Sequence, residues 1–105
     1  HLLVLQIYKL TKTFPKEEQF GLVSQMRRAA VSIPSNIVEG KSRGSIKEYI
    51  RFLLMARASL EELKYQLFLA KDLEYLNIND YTRVIELADE VGKLLNGLIN
   101  KLKSM

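Results

Sequence analysis

Between Leu53 and Ala70, the residues Leu53, Ala56, Leu60, Leu63, Leu67 and Ala70 follow one another at alternating spacings of three and four. A second such row runs Val84, Ala88, Val91, Leu95, Leu98 and Leu102. This spacing keeps apolar side chains on one face of an α-helix, and repeated over several turns it forms a heptad seam that must bury itself against other helices. Strands alternate instead, and no segment of the sequence does so. Two long amphipathic helices therefore dominate what this chain can fold into.

Two shorter rows complete the pattern. Leu3, Ile7, Leu10 and Phe14 predict a first helix over 1–13, ended by Phe14-Pro15 because a residue before proline is pushed out of the helical region. Leu22, Met26, Ala29, Ile33 and Ile37 predict a second over 17–39. Its row stays in phase through Pro34, so a single kinked helix is expected, with Gly40 as its stop. Ser45 and Glu48 have capping-box spacing and open a third helix over 46–73. Asn77-Ile78-Asn79-Asp80 is turn and cap chemistry before a fourth over 80–103. The expectation is an all-α, antiparallel up-down four-helix bundle, one domain over 1–105. The chain opens directly into helix. We read its start as lying inside a longer first helix, with His1 as a tag remnant. The first residues lack a basic start and are interrupted by Gln6, Tyr8 and Lys9, so they do not read as a signal peptide. With no cysteine, this favours a cytoplasmic protein without a membrane partner.

The same composition excludes most site chemistry. Without cysteine there is no thiolate catalysis and no cysteine–zinc centre. The single histidine is residue 1, so a Glu-x-x-His di-iron site and a serine triad both lack their imidazoles. No Ser-x-x-Lys pair occurs. Gly40-Lys41-Ser42 resembles the end of a phosphate-binding loop, but Ser35 stands where the first glycine belongs and no strand precedes it. Adjacent acids such as Glu61-Glu62 diverge around a helix. The expectation is a protein that is not an enzyme and carries no catalytic residue, metal site or cofactor.

Charge is uneven. Residues 27–57 hold seven basic residues against Glu39 and Glu48, a local +5 beside a whole-chain +4. This fits either an ordinary solvated face or a polyanion contact. Lys41 and Arg43 also lie beside the N-terminal amides of the helix that Ser45 opens, a place suited to a phosphate.

Two other features have two accounts each. Ile50, Leu54, Met55, Tyr65, Phe68 and Leu69 lie off the third helix's seam, and Val31 and Val38 lie opposite the second helix's row. Self-association would bury them; a wide core stripe with scattered exposed residues would also account for them. Gln25, Arg28, Ser32, Asn36 and Glu39 form a polar row beside the apolar one. It is either a solvated flank or a hydrogen-bonded seam between helices or subunits, where Arg28 would meet Glu39 only across a neighbour.

Phe14-Pro15, Glu17, Gln25, Arg28-Ala29-Ala30, Ser32-Ile33-Pro34, Asn36-Ile37, Glu39-Gly40 and Arg43 make a distinctive string, continued by Glu48, Ala58-Ser59 and Glu62-Leu63. It resembles the bacterial four-helix-bundle family that includes proteins encoded in intervening sequences of 23S ribosomal RNA genes, and is similar to the accessory variability proteins of diversity-generating retroelements. The segment from Gln25 to Gly40 is specific, and the rest is generic helix. The short first helix departs from the family, as does Ala58 where many members have glycine.

The resemblance implies a ring-shaped homo-oligomer, a homopentamer, and a role connected with nucleic acid. Two readings follow. In the first, Arg27, Lys41, Arg43, Lys47 and Arg51 contact RNA or DNA phosphates, with Arg57 a weaker candidate. In the second, the oligomer is a scaffold for a partner protein such as a reverse transcriptase, held through an apolar ridge containing Leu54 and Leu69. Gln25, Arg28, Ser32, Asn36 and Glu39 are assigned to packing between helices or subunits.

Overall fold

The computed structural model describes residues 1–105. Its elements are α1 (Leu2–Thr11), a 3-10 turn at Lys16–Glu18, α2 (Leu22–Ser42), α3 (Ile46–Asp72) and α4 (Ile78–Lys103). Each helix packs antiparallel on its neighbour in sequence, and α1 closes the bundle against α4. The result is a rod of 45 × 24 × 18 Å.

The α3 seam is buried at every expected position, from Leu53 to Ala70. On α4 the row drifts. Val84, Ala88 and Leu95 are buried, but Ile99 is buried where Leu98 was expected, and Val91, Leu98 and Leu102 are half-buried. A straight helix has about 3.6 residues per turn, so a strict seven-residue repeat walks around it by roughly 20° per heptad. On α2, Val23 and Ala30 join Met26, Ala29 and Ile33 inside, giving a stripe wider than the row read from sequence.

The first helix ends at Thr11, two residues short of 13, and three further helix ends differ from expectation, each for a local reason. The second helix does not start at 17. Positions 17–21 carry no apolar residue in phase with the stripe, and Phe20 stands 95% exposed. The chain closes a short 3-10 turn there, with the Glu18 amide donating to the Pro15 carbonyl at 3.0 Å, and α2 begins at Leu22. Glu18 then accepts a hydrogen bond from the Tyr75 hydroxyl at 2.9 Å.

Gly40 is not the stop of α2. The helix passes unbroken through both Pro34 and Gly40 to Ser42, and Gly44, with φ +76°, reverses the chain. Near the proline, the Asn36 side-chain amide donates to the Ser32 carbonyl at 2.8 Å.

The fourth helix starts two residues before Asp80. Asn77 is its cap, accepting from the Asp80 amide at 2.8 Å while its own amide donates to the Asp80 carboxylate at 3.1 Å. Before α3, the Ser45 hydroxyl accepts from the Glu48 amide at 3.3 Å. The Glu48 carboxylate turns to Arg51 instead of back to Ser45, so only half of the capping box forms.

The end of α3 is a Schellman turn. The Tyr75 amide reaches back to the Ala70 carbonyl at 2.9 Å and the Glu74 amide to the Lys71 carbonyl at 3.0 Å. The left-handed position is taken by Glu74, φ 65°, where a Cβ is unfavourable. Glu74→Gly is therefore expected to stabilise the fold by about 0.5–1 kcal/mol. A melting curve followed by far-ultraviolet circular dichroism should rise by a few degrees. An unchanged or lower midpoint would show that the turn is not strained.

Candidate nucleic-acid interface

The junction of α2 and α3 is built around a close approach. A Cβ on Gly40 would lie 2.6 Å from the Phe52 Cβ, so only glycine lets the two backbones come this near. Phe52 fills the space beside Gly40 and is 5% exposed, although it stands apart from the main core cluster. Two guanidinium groups cover it. The Arg43 Cζ lies 4.9 Å and the Arg51 Cζ 4.7 Å from its ring centre. Each arginine also meets a carboxylate: Arg43 donates to Glu39 at 2.9 Å, and Arg51 to Glu48 at 2.8 and 3.3 Å. The hydrogen bond from Arg51, aided by the positive charges of Arg51, Arg43 and Lys47, holds the Glu48 carboxyl below the usual carboxylate range. Lys41 and Lys47 are exposed and form none of the protein's ion pairs.

The topology adds two residues that spacing in the sequence could not. Because α2 and α4 run parallel, both end where α3 begins. Leu3 of α1, Ile37 of α2 and Leu98 of α4 line one apolar groove, which places the start of α1 at the same end. At the opposite end, Lys9 of α1 and Thr13 just after it meet Asp80 and Arg83 of α4. Lys101 and Lys103, in the last turn of α4, thus share an end of the rod with Lys41, Arg43, Lys47 and Arg51. Six basic residues face two acidic ones there, a charge of +4, equal to that of the whole chain. Lysines at a helix C-terminus are also favoured by the helix dipole.

Arg27 does not belong to this cluster. It lies sixteen residues before Arg43, about 24 Å away along α2 at roughly 1.5 Å per residue. Its Nε donates to the Thr11 hydroxyl at 3.0 Å and its Nη2 to the Tyr8 carbonyl at 3.4 Å, with the guanidinium 4.6 Å above the Tyr8 ring. It is a clamp between α1 and α2. Arg57 is likewise distant, donating to the Asn96 side chain at 3.0 Å.

The polar row of α2 is a seam within the chain for part of its length. The Ser32 and Ser59 hydroxyls are 2.9 Å apart across α2 and α3, and the Asn36 amide donates to the Ser32 hydroxyl at 3.0 Å. Gln25, Arg28 and Ser32 line a notch shared with Ser59 and Glu62. Glu39 leaves the row for Arg43 within the chain, and Arg28 forms no ion pair with it there. Leu54 and Leu69 are half-buried, and Leu54 packs against the core, so each offers only part of its surface to an apolar ridge. The apolar side chains that do face solvent include Val38, Tyr65 and Leu94. Leu94 lies one position before the buried Leu95, so the seam spacing does not reveal it.

No three His, Asp or Glu side chains converge as metal ligands would, and no helix is long and apolar enough to cross a membrane. Phe52 was missed in the sequence because it lies one position off the Leu53 seam, and its role depends on Gly40.

Residues 1–97 match the family described as 23S rRNA-intervening sequence protein. The fold is similar to the crystal structure of a protein of unknown function from the S23 ribosomal protein family of Bacteroides thetaiotaomicron. The TM-score is 0.80 at 27% sequence identity, over 91% of this chain and 87% of that one. No curated protein matches the sequence.

Proposed function

As this chain belongs to the 23S rRNA-intervening sequence protein family, we propose that it is a non-enzymatic protein that holds the phosphate backbone of RNA or DNA against the basic end of its bundle. The observation that carries this reading is the gathering of Lys41, Arg43, Lys47, Arg51, Lys101 and Lys103 at one end, with two guanidinium groups already positioned on Phe52. A guanidinium has five N–H donors. Arg43 uses Nη2 for Glu39, and Arg51 uses Nε and Nη2 for Glu48, which leaves donors on both for phosphate. Those ion pairs are exposed, so water and salt weaken them and a phosphate competes at little cost.

Self-association belongs to the same proposal. Copies would assemble as a homo-oligomer, a pentameric ring in the terms of the family resemblance, burying exposed apolar residues such as Val38, Tyr65 and Leu94. A modest patch repeated in one particle would bind multivalently.

The test is a fluorescence-anisotropy titration of a structured RNA, with protein of known mass in solution, at about 50 and 200 mM salt. Several phosphate contacts predict a fall in affinity of orders of magnitude between the two. The double reversal Arg43→Glu with Lys47→Glu should abolish binding, and Lys101→Glu with Lys103→Glu should weaken it at low salt by roughly tenfold or more. Unchanged affinity in both double variants would overturn the site. No binding by the parent protein at low salt would overturn the function and leave the basic end as a solvated surface.

A further inference from the structure

The largest concavity of the molecule is not at the basic end. It is an open groove of about 630 Å³ where α1 and the connection after it meet the first half of α2. Its size falls within the roughly 300–1,000 Å³ of ordinary ligand clefts. Its walls carry two arginines, Arg27 and Arg28, and no carboxylate. Arg27 is fixed in place by Thr11 and Tyr8, whereas Arg28 is exposed and forms none of the protein's ion pairs. Phe20 stands on the rim with 95% of its surface in water. Nothing within the bundle covers it, and neither the core nor the 3-10 turn uses its ring. Ser24 and Ser32 supply hydroxyls in the same walls.

An open aromatic face, unbalanced positive charge and nearby hydroxyls are the parts of a site for a flat ring that carries a phosphate. Bases of any identity stack on an aromatic side chain, and arginine holds the backbone beside them. In a duplex the base faces are hidden, so the matching ligand is an unpaired stretch. We infer that this groove binds unpaired nucleotides of a nucleic acid, with Phe20 as the stacking surface and Arg28 as the phosphate contact. The site rests on the nucleic-acid reading above but on separate residues, about 20 Å or more along α2 from the basic end.

The chain has no tryptophan, so Phe20→Trp places a single reporter on the rim. Addition of a short unpaired oligouridine, or its deoxy counterpart, should quench the reporter's emission; the two arms separate RNA from DNA. Phe20→Ala should weaken binding of the unpaired oligomer by roughly tenfold while leaving a duplex bound as before. Arg28→Gln should reduce the salt dependence of unpaired-strand binding by about one phosphate contact. Arg43→Glu with Lys47→Glu should lose the duplex and keep the quenching.

Three results would overturn the inference. One is unquenched emission while duplex binding persists, which would sink the groove and leave the basic end standing. Another is wild-type affinity of Phe20→Ala for the unpaired oligomer. The third is a reporter whose emission shifts to the blue as protein concentration rises and ignores nucleic acid, since that would place the rim between copies of the chain. If neither unpaired nor duplex nucleic acid binds the parent protein, the groove and the basic end fall together.

Discussion

Phe52→Ala is expected to lower the stability of the folded chain by about 3–5 kcal/mol, the range for emptying a buried phenylalanine site. For a domain of this size, total stability is on the order of 5–15 kcal/mol, so the loss is a large share of the whole. The ring is 5% exposed and fills the space beside Gly40. Its removal leaves a cavity at the α2–α3 junction and takes away the surface on which Arg43 and Arg51 rest. Chemical denaturation with a linear extrapolation measures the first effect, and RNA affinity at low salt the second. Phe52→Leu separates them. It keeps most of the buried volume, with a cost of about 1.5 kcal/mol or less, but removes the aromatic face. If Phe52→Ala unfolds at the same denaturant concentration as the parent, the ring does not hold the junction. If Phe52→Leu binds RNA like the parent, the cation–ring contacts do not organise the interface.

Two glycine substitutions should act with opposite signs. Gly40→Ala gains helix propensity of about 1 kcal/mol but sets a Cβ 2.6 Å from the Phe52 Cβ, an atom fixed to the α3 backbone that cannot swing away. The helices must separate, and overpacking of this kind costs typically about 1–3 kcal/mol, occasionally more. The contact is short enough for the penalty to win, and a valine should be worse. Gly97→Ala, in α4 with nothing within 4 Å of its Cβ position, meets no such penalty and should stabilise by up to about 1 kcal/mol. Thermal midpoints of the pair would show it: a fall for Gly40→Ala and a rise for Gly97→Ala. Equal shifts would mean that Gly40 is only a helix residue and that the junction has room.

The glycine at 40 also shows how far a single sequence can be read. In one dimension Gly40, followed by a polar loop, looks like a helix stop, since glycine is the usual residue there. The stop lies at Gly44 instead, and Gly40 is a contact point between helices. Nothing near Gly40 in the sequence reveals this, because its neighbour Phe52 is twelve residues away on another helix. The same applies to the interface. Lys41, Arg43, Lys47 and Arg51 lie together in the chain and remain together in the structure. Arg27 looks like their neighbour in the charge count, yet the 1.5 Å rise of a helix carries it to the far half of α2.

Periodicity by itself determined that this chain is all-α with four helices, and it identified every buried residue of the α3 seam. A heptad row has one favourable fate, burial against other helices, and that follows from local geometry and the hydrophobic effect. The tertiary structure alone decided which ends of the helices meet. That choice brought Lys101 and Lys103 to Lys41, Arg43, Lys47 and Arg51, set Phe52 against Gly40, and left Phe20 in water. Such contacts join residues far apart in sequence, and the antiparallel closure of the bundle creates them; no pattern along the chain encodes them.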